Sequence, residues 1–423
     1  MSQRRARPAE RHRLGSRAFK QAPDQTPPRV GIAIPAVPLG ALVGLIIACV
    51  LVPTYLARGE IVDFSQVLAG LSDSPRTVGF LFDTSAYYSA FARVLEGGSP
   101  YLTTTLTGFE PPVALGSYRY LPPFALLFSP LALLTRATVD VVFIVLSAVL
   151  YSVAVAQALK PLRLRSVLLV PAVAIVALNS CALTGYASGS VVMLTAPAYL
   201  LILDAPTRTR LNGVLLAATA FVRLEVGLFL ATIALRERKL LWSAATASLL
   251  IVGASLLFPQ GMQAWREAPM AFANIAVGFS QAPPEVIDPR NVSVALFLLR
   301  SGVPPAIVTA SLVGVAVLGG LLAQRLLPRP YALMVIAVIA LLPLPTVWPQ
   351  VIASLFPLAI AVLIRQGGGR RAVALLIGLI IFFTYVVVDG RPGPLFLAYS
   401  PLVFVLAHGV WRQRTLRFVD SAK

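Results

Sequence analysis

The first segment that could carry chemistry holds an aspartate at the start of a helical pattern. Asp83 precedes apolar side chains that recur at helical spacing at Tyr87, Phe91 and Val94. This spacing predicts a short helix that lies along a surface, with Asp83 at its N-terminus. Aspartate is a preferred helix cap, which would give Asp83 a structural role. Its ionised carboxylate could instead take a proton from a hydroxyl nucleophile.

A second segment brings an arginine next to aromatic rings. Arg119 and Tyr120 stand shortly before Pro122 and Pro123, where an apolar run begins. The structural interpretation is an aromatic belt at a membrane surface with a snorkelling arginine. The functional interpretation is a clamp for a phosphate group, because a guanidinium can hold two phosphate oxygens at once.

A third segment carries two opposite charges in apolar surroundings. Arg223 and Glu225 interrupt a stretch of mainly hydrophobic residues. Charges in such surroundings are costly to bury, so they indicate a functional site. An ion pair whose members compensate each other is the structural alternative.

Two further segments present polar or aromatic side chains in turns. Asn291 and Ser293 form a glycosylation sequon, a pattern that is frequent by chance. A proline-rich turn that begins at Pro345 displays Trp348 and Gln350. Anchoring at a membrane interface would explain the tryptophan without any part in a reaction.

Several kinds of site have no counterpart in the sequence. No Gly-rich phosphate loop followed by Lys and Ser or Thr is present, and there is no Asp-x-Asp pair. A soluble nucleotide is therefore not indicated as a source of energy or sugar. His12 and His408 are the only histidines, which argues against a histidine-based metal site. We expect neither a metal nor another cofactor.

The elements that position these residues must lie in a membrane. Of the 423 residues, 57% are hydrophobic and only 12% are charged, and the mean hydropathy is +0.82. Soluble domains carry about 25% charged residues. The composition excludes a soluble globular enzyme, a disordered chain and a fibrous repeat, and it predicts an all-α polytopic membrane protein. The net charge of +18 fits basic cytoplasmic segments, so no nucleic acid is expected as a partner.

The pattern of hydropathy and charge divides the chain into three parts. Residues 1–33 are predicted to be a disordered basic cytoplasmic tail, and residues 412–423 a second cytoplasmic tail. Residues 34–411 should form a bundle of about 10 to 13 transmembrane or half-membrane helices. Two large outer loops are expected at about 57–120 and 259–304.

The apolar runs also predict individual spans. They cover residues 35–56, 121–135, 139–159, 167–183, 191–203, 240–258, 305–327, 331–344, 350–364, 372–388 and 395–411. Basic clusters at the ends of the runs mark the cytoplasmic side and put both termini inside. Between Arg210 and Arg236 there are too few residues for two full spans of about 20 each. Two half-helices that meet near Arg223 and Glu225 would let the basic clusters on both sides of this segment lie in the cytoplasm.

Taken in order, these segments resemble glycosyltransferase family 87, the polyprenyl-phosphate-mannose-dependent mannosyltransferases of the C-type membrane superfamily. The resemblance covers most of residues 40–410. The residues that carry it are Asp83, Tyr87, Tyr88, Gly97, Pro100, Tyr101, Tyr120, Pro122, Pro123, Pro130, Leu131, Ala132, Asn291, Ser293, Arg300, Pro345 and Trp348.

Three positions depart from the family pattern. Many members have Gly-Gln-x-Asn where this sequence has Gly185-Tyr186-Ala187-Ser188. A lysine near a proline is replaced by Arg223 and Glu225, which keeps the positive charge but not the proline. A histidine that often follows the tryptophan is Gln350 here, which cannot titrate.

The resemblance implies an enzyme that moves a mannosyl residue from polyprenyl-phosphate-mannose to a glycolipid or lipoglycan. The reaction would take place at the outer face of the plasma membrane, among membrane lipids, with inversion at the anomeric carbon. Asp83 would be the general base. Arg119, Tyr120, Arg223 and Glu225 would surround the donor phosphate, and Tyr87, Asn291, Trp348 and Gln350 would line the pocket.

Two alternatives stay open. The first is transfer of arabinose or another pentose from its polyprenyl phosphate. The second is a flippase or transporter for a lipid-linked sugar. The sequence shows no duplicated halves and has a large acidic segment before residue 120, and both features argue against a transporter.

Overall fold

The computed structural model describes residues 35–58, 62–63, 76–77, 82–101, 103–106, 113–116, 120–203, 209–234, 237–281, 293–344, 347–388 and 399–421. The predicted N-terminal tail lies outside these residues. In chain order the helices are α1 (Ala36–Arg58), α2 (Phe82–Leu95), α3 (Pro122–Phe128), α4 (Arg136–Leu159), α5 (Ser166–Ala177), α6 (Ser180–Ser188), α7 (Val192–Leu203), α8 (Thr209–Val222), α9 (Leu224–Ala234), α10 (Arg238–Leu256), α11 (Gly261–Gln281), α12 (Val294–Arg300), α13 (Pro305–Leu326), α14 (Arg329–Ile339), α15 (Pro349–Ala353), α16 (Phe356–Arg365), α17 (Arg370–Val388) and α18 (Ser400–Ser421).

Long apolar helices confirm the predicted all-α polytopic membrane fold. By length and composition, four described helices can cross a membrane: α1, α4, α10 and α13. Helices α5 and α6 form a pair bent by 65° that could count as one more span. Shorter apolar helices, among them α7, α8, α9 and α14, follow between the long ones.

Helices α1 and α4 form the closest pair of continuous spans. A Cβ atom added at Gly40 would lie 2.7 Å from the Cα of Val153, and one added at Gly44 would lie 2.5 Å from the Cα of Val149. Small residues let helix backbones approach in this way inside a membrane. At the end of α1, Tyr55 Oη donates a hydrogen bond of 2.6 Å to Asp140 Oδ2 on α4.

Two spans that were predicted as continuous helices are interrupted. The predicted helix 167–183 is wrong in this respect, because Asn179 stops α5 and its side chain accepts a hydrogen bond from Ala182 N–H as the N-cap of α6. The predicted helix 350–364 is divided between α15 and α16. Pro357 follows that break, where its missing N–H does not disturb the start of α16.

The insertions predicted as large outer loops hold regular structure. The first contains α2 and two antiparallel two-stranded sheets, β1 (Val62–Asp63) with β2 (Arg76–Thr77) and β3 (Thr103–Leu106) with β4 (Val113–Gly116). The second contains α11 and α12, so it is mainly helical where the structure describes it. Residues 412–421, predicted as part of a tail, continue helix α18.

The predicted break at Arg223 is confirmed. Helix α8 ends at Val222 and α9 begins at Leu224, which leaves Arg223 between the two helices. The predicted short segment 121–135 is also short in the structure, with α3 followed by a 3-10 turn over Ser129–Leu133. The helices are therefore short or interrupted near residue 120 and at residue 223.

Candidate active site

Helix α2 directs Asp83 and Tyr87 to the same side. Asp83 lies in the first turn, at the second position of the helix, and Tyr87 follows one turn later. Residues four apart share a helix face. Tyr87 is completely buried and Asp83 is half-buried, so the carboxylate sits at the border between the interior and the surface. The aspartate is a first-turn residue rather than the cap itself.

Tyr87 meets Tyr120 inside an aromatic cluster. Their hydroxyl oxygens are 2.6 Å apart, and their ring centroids are 4.9 Å apart in an edge-on arrangement. Phe124 and Phe143 contact the Tyr87 ring at centroid distances of 5.3 and 5.5 Å. The backbone N–H of Val191 donates to Tyr87 Oη at 3.4 Å. The cluster thus joins α2, the start of α3, α4 and the turn before α7.

Burial keeps the central phenol neutral. Desolvation, then the neighbouring Tyr120 and the charge of Asp83, raise the pKa of Tyr87 well above its ordinary value of 10. A phenol is protonated at neutral pH in any case, and the raised pKa keeps Tyr87 protonated at higher pH as well, so it is a hydrogen-bonding group rather than a base. Asp83 is the charged member of this part of the site.

The break between α8 and α9 supplies a cation to the same region. Arg223 Nε donates to Glu225 Oε1 at 2.5 Å, and the two side chains are 15% and 3% exposed. The guanidinium lies within electrostatic range of the phenols of Tyr120 and Tyr87. Val222 packs against the aromatic cluster. The structure therefore brings together Asp83, Tyr87, Tyr120, Arg223 and Glu225, which we call the Arg223 centre.

The Arg223 centre combines the groups that a group-transfer reaction requires. A carboxylate at the border of the site can accept a proton from a hydroxyl. A buried guanidinium can stabilise negative charge that develops on a leaving group. Among the residues that the structure describes, no three His, Cys, Asp or Glu side chains lie close enough to hold a metal ion.

Trp348 and Gln350 lie against a different part of the bundle. Gln350 is buried on α15 and faces α6, where a Cβ added at Gly185 would lie 3.1 Å from the Gln350 Cβ. Its Oε1 has no hydrogen-bond partner among the described residues. Trp348 packs against the same large core. Tyr87 and Tyr120 of the Arg223 centre belong to a different hydrophobic cluster.

The comparison with protein families decides the classification. Residues 118–349 match the family model for glycosyltransferase family 87, which is more than half of the chain. The chain belongs to glycosyltransferase family 87. It is therefore a membrane glycosyltransferase. No curated protein and no solved structure matches the chain significantly.

The family match covers part of the Arg223 centre. Tyr120, Arg223 and Glu225 fall inside the matched residues, and so does Trp348. Asp83 and Tyr87 precede the match, and Gln350 follows it by one residue. The contact between Tyr87 and Tyr120 links the part of the site inside the family match to the part outside it.

Two of the predicted site residues, Arg119 and Asn291, lie outside the residues that the structure describes. Their described neighbours are ordered by capping and packing: Ser293 accepts from Leu296 N–H as the N-cap of α12 and donates to the carbonyl oxygen of Leu344. The predicted roles of Arg119 and Asn291 stay predictions.

Sequence reasoning missed other residues around the Arg223 centre. Tyr199 on α7 is buried and lies within electrostatic range of Glu225 and Arg223. Tyr101 Oη donates to the backbone oxygen of Tyr120 at 2.8 Å. The sequence held a signal for Tyr199, because a tyrosine in an apolar run needs a polar partner for its hydroxyl. It held no signal for the backbone partner of Tyr101.

Proposed function

We propose that this glycosyltransferase moves a mannosyl residue from polyprenyl-phosphate-mannose to a glycolipid or lipoglycan at the outer face of the plasma membrane. The observation that carries the proposal is the convergence of Asp83, Tyr87, Tyr120 and Arg223 at a helix break. A buried cation beside phenols suits a lipid-linked phosphate. The carboxylate at the border suits an acceptor that arrives from outside.

The proposed reaction is a single displacement. The acceptor hydroxyl gives its proton to Asp83 while its oxygen bonds to the anomeric carbon. The bond from that carbon to the phosphate oxygen breaks, and the electron pair leaves with the polyprenyl phosphate. Attack opposite the leaving group inverts the anomeric carbon. Arg223 stabilises the phosphate charge, and Glu225 holds the guanidinium in place through the 2.5 Å hydrogen bond.

Two other activities are compatible with parts of the site. A pentosyl donor such as polyprenyl-phosphate-arabinose presents the same phosphate to Arg223, so the cation alone does not select the sugar. A flippase would also bind that phosphate but would need no base. Asp83 favours transfer, because a carboxylate beside the bound lipid is the group that a hydroxyl acceptor requires.

The experiment uses the purified full chain in lipid nanodiscs with radiolabelled donors and a membrane lipid extract as the source of acceptor. Polyprenyl-phosphate-mannose should label the extract, whereas polyprenyl-phosphate-arabinose and a soluble nucleotide-mannose should not. If only the arabinose donor labels the extract, the transferred sugar is arabinose and not mannose. Movement of label across sealed vesicles without new glycosidic bonds would support the flippase instead.

The orientation of the site can be tested separately. Single cysteines in α2 and α11 should react with an impermeant thiol reagent in intact cells, after Cys49 and Cys181 are changed to serine. A cysteine at Arg238, which belongs to a basic cluster, should not react. Labelling at position 238 from outside would reverse the proposed orientation.

A further inference from the structure

A polar cluster on helix α11 lies beside the Arg223 centre but outside it. Glu267 accepts a hydrogen bond from Ser99 Oγ on one carboxylate oxygen and from Gln263 Nε2 at 2.8 Å on the other. Gln263 is exposed, and Ser99 and Glu267 are half-buried. A carboxylate offers about four acceptor positions. The cluster of Ser99, Gln263 and Glu267 therefore keeps acceptor capacity at an open surface.

An aromatic pair connects this cluster to the Arg223 centre. The rings of Tyr101 and Phe272 are in edge contact with centroids 6.4 Å apart, and both side chains are half-buried. Tyr101 lies within electrostatic range of Glu267, and its hydroxyl donates to the Tyr120 carbonyl at 2.8 Å. Tyr101 thus contacts the Arg223 centre with its hydroxyl and lies next to the cluster of Ser99, Gln263 and Glu267.

The turn that presents Ser99 is fixed by its own contacts. Arg93 donates from Nε to the Ser99 carbonyl at 3.2 Å and from Nη2 to the Pro100 carbonyl at 2.5 Å. The turn begins at Gly97, whose φ of 82° favours glycine. Tyr101 N–H donates to Ser99 Oγ at 3.3 Å. Such preorganisation is typical of a binding site and lowers the entropy lost when a ligand binds.

Helix α11 has a polar strip next to an exposed apolar surface. Ala264 and Ala268 are buried, and Gln260 Nε2 donates to the Val94 carbonyl, so the helix is attached to α2. Met262 and Met270 are exposed on either side of the exposed Arg266. An amphiphile could therefore lay its apolar chain near the methionines and its head group on the side that carries Glu267.

We propose that Glu267, with Gln263, Ser99 and the ring of Tyr101, forms the subsite that binds the sugar of the acceptor glycolipid. The inference rests on the proposed function and deepens it. Sugar hydroxyls both donate and accept, which matches a carboxylate, an amide and a hydroxyl, and the C–H face of a sugar packs on an aromatic ring.

The test compares two reactions of the same nanodisc preparation. Hydrolysis of polyprenyl-phosphate-mannose without acceptor reports the donor site, and transfer to the neutral probe dodecyl α-mannoside reports both sites. The variant Glu267→Gln keeps an oxygen for Ser99 but loses the charge. It should raise the KM for the probe about tenfold, the effect of one weakened charge-assisted hydrogen bond. Donor hydrolysis and kcat should stay within about twofold of wild type.

Controls separate the possible failures. Glu237→Gln, at a half-buried carboxylate that pairs with Arg329 at the other end of α10 from α11, should behave as wild type, and Glu267→Asp should recover part of the probe affinity. An unchanged KM in Glu267→Gln, or an equal loss of donor hydrolysis, would overturn the subsite. If the wild type neither hydrolyses nor transfers from this donor, the proposed function has failed. Direct binding of dodecyl α-mannoside, followed by protein fluorescence, then decides the subsite: equal affinity of wild type and Glu267→Gln overturns it.

Discussion

Helices α1 and α4 bury a carboxylate between two continuous spans, whereas α8 and α9 bury one at a break between two short helices. Asp140 on α4 is fully buried, accepts from Tyr55 Oη at 2.6 Å and has an exposed arginine, Arg136, 3.8 Å away. Glu225 on α9 is also buried, and its partner Arg223, which is half-buried, lies 2.5 Å away.

The difference lies in what each carboxylate's partner contacts. Tyr55 ties α1 to α4 and completes a contact between two spans. Arg223 lies between two helices and within electrostatic range of the phenols of Tyr120 and Tyr87, which belong to other elements. A buried charge that contacts only its own helix pair stabilises the packing. Arg223, which lies at a break, is the cation that we propose for the donor phosphate.

The largest effect is expected at Asp83. The variant Asp83→Asn keeps the shape but has no basic oxygen, so transfer should fall by roughly 10² to 10⁴. Stability should change by less than about 1 kcal/mol, the range of a charge in a first helix turn. Initial rates and thermal unfolding in nanodiscs measure the two quantities. Asp83→Glu should have an intermediate rate. A fully active Asp83→Asn variant would show that Asp83 is not the general base.

The next effect concerns the buried ion pair at the break. Changing Arg223 to Met and Glu225 to Gln together avoids an unpaired buried charge, which would destabilise the fold by about 3–5 kcal/mol. The double variant should fold and lose transfer by about 10² to 10³, because the phosphate loses its cation. Arg223→Lys should keep partial activity.

A matched ion pair away from the site provides the control. Arg329 and Glu237 are joined at 2.9 Å. The corresponding change of Arg329 to Met and Glu237 to Gln should leave transfer within about threefold of wild type, after correction for folded protein. Equal losses in both double variants would reduce the pair at Arg223 to a structural element.

A smaller effect is expected for Tyr120→Phe. The variant removes the 2.6 Å contact with Tyr87 Oη but keeps the backbone oxygen that Tyr101 contacts. Loss of one buried hydrogen bond corresponds to about 1 kcal/mol, or about fivefold in rate. Tyr88→Phe, which removes a 3.0 Å hydrogen bond to the Leu134 carbonyl, is the control. Equal rates in both variants would exclude a role of the Tyr120 hydroxyl.

The smallest effect on transfer is expected at Asp140. The variant Asp140→Asn still accepts from Tyr55 but replaces a charge-assisted hydrogen bond with a neutral one. It should lower the free energy of unfolding by about 1 kcal/mol and leave the rate per folded molecule within about twofold of wild type. A selective loss of rate would make the α1–α4 pair part of the site.

The sequence predicted the break at Arg223 because charge and length restrict the chain there. Basic clusters on both sides leave too few residues for two full spans, and the break then falls at the charged residues. The position of Asp83 at the start of a helix followed from apolar spacing in the same way. These features depend on local sequence and on the thickness of the membrane.

Features that depend on tertiary contacts could not be predicted. Tyr87 and Tyr120 are 33 positions apart, and nothing in either segment specifies that their hydroxyls meet. Asn179 lies inside a run that hydropathy treats as one span, residues 167–183, so hydropathy did not reveal the cap. Helix α11 falls within a predicted outer loop because its exposed polar side chains lower the average hydropathy, although Ala264 packs in the same apolar cluster as Phe91 and Val94 of α2.

The central claim is that the lipid phosphate binds at the break between α8 and α9 and not at the α1–α4 pair. The direct measurement is photo-crosslinking with a polyprenyl phosphate that carries a diazirine next to the phosphate, followed by peptide mapping. We expect crosslinks to residues next to Arg223 and Tyr120, and their loss in the Arg223→Met, Glu225→Gln double variant. Crosslinks confined to residues around Arg136 and Asp140, unchanged in that variant, would contradict it.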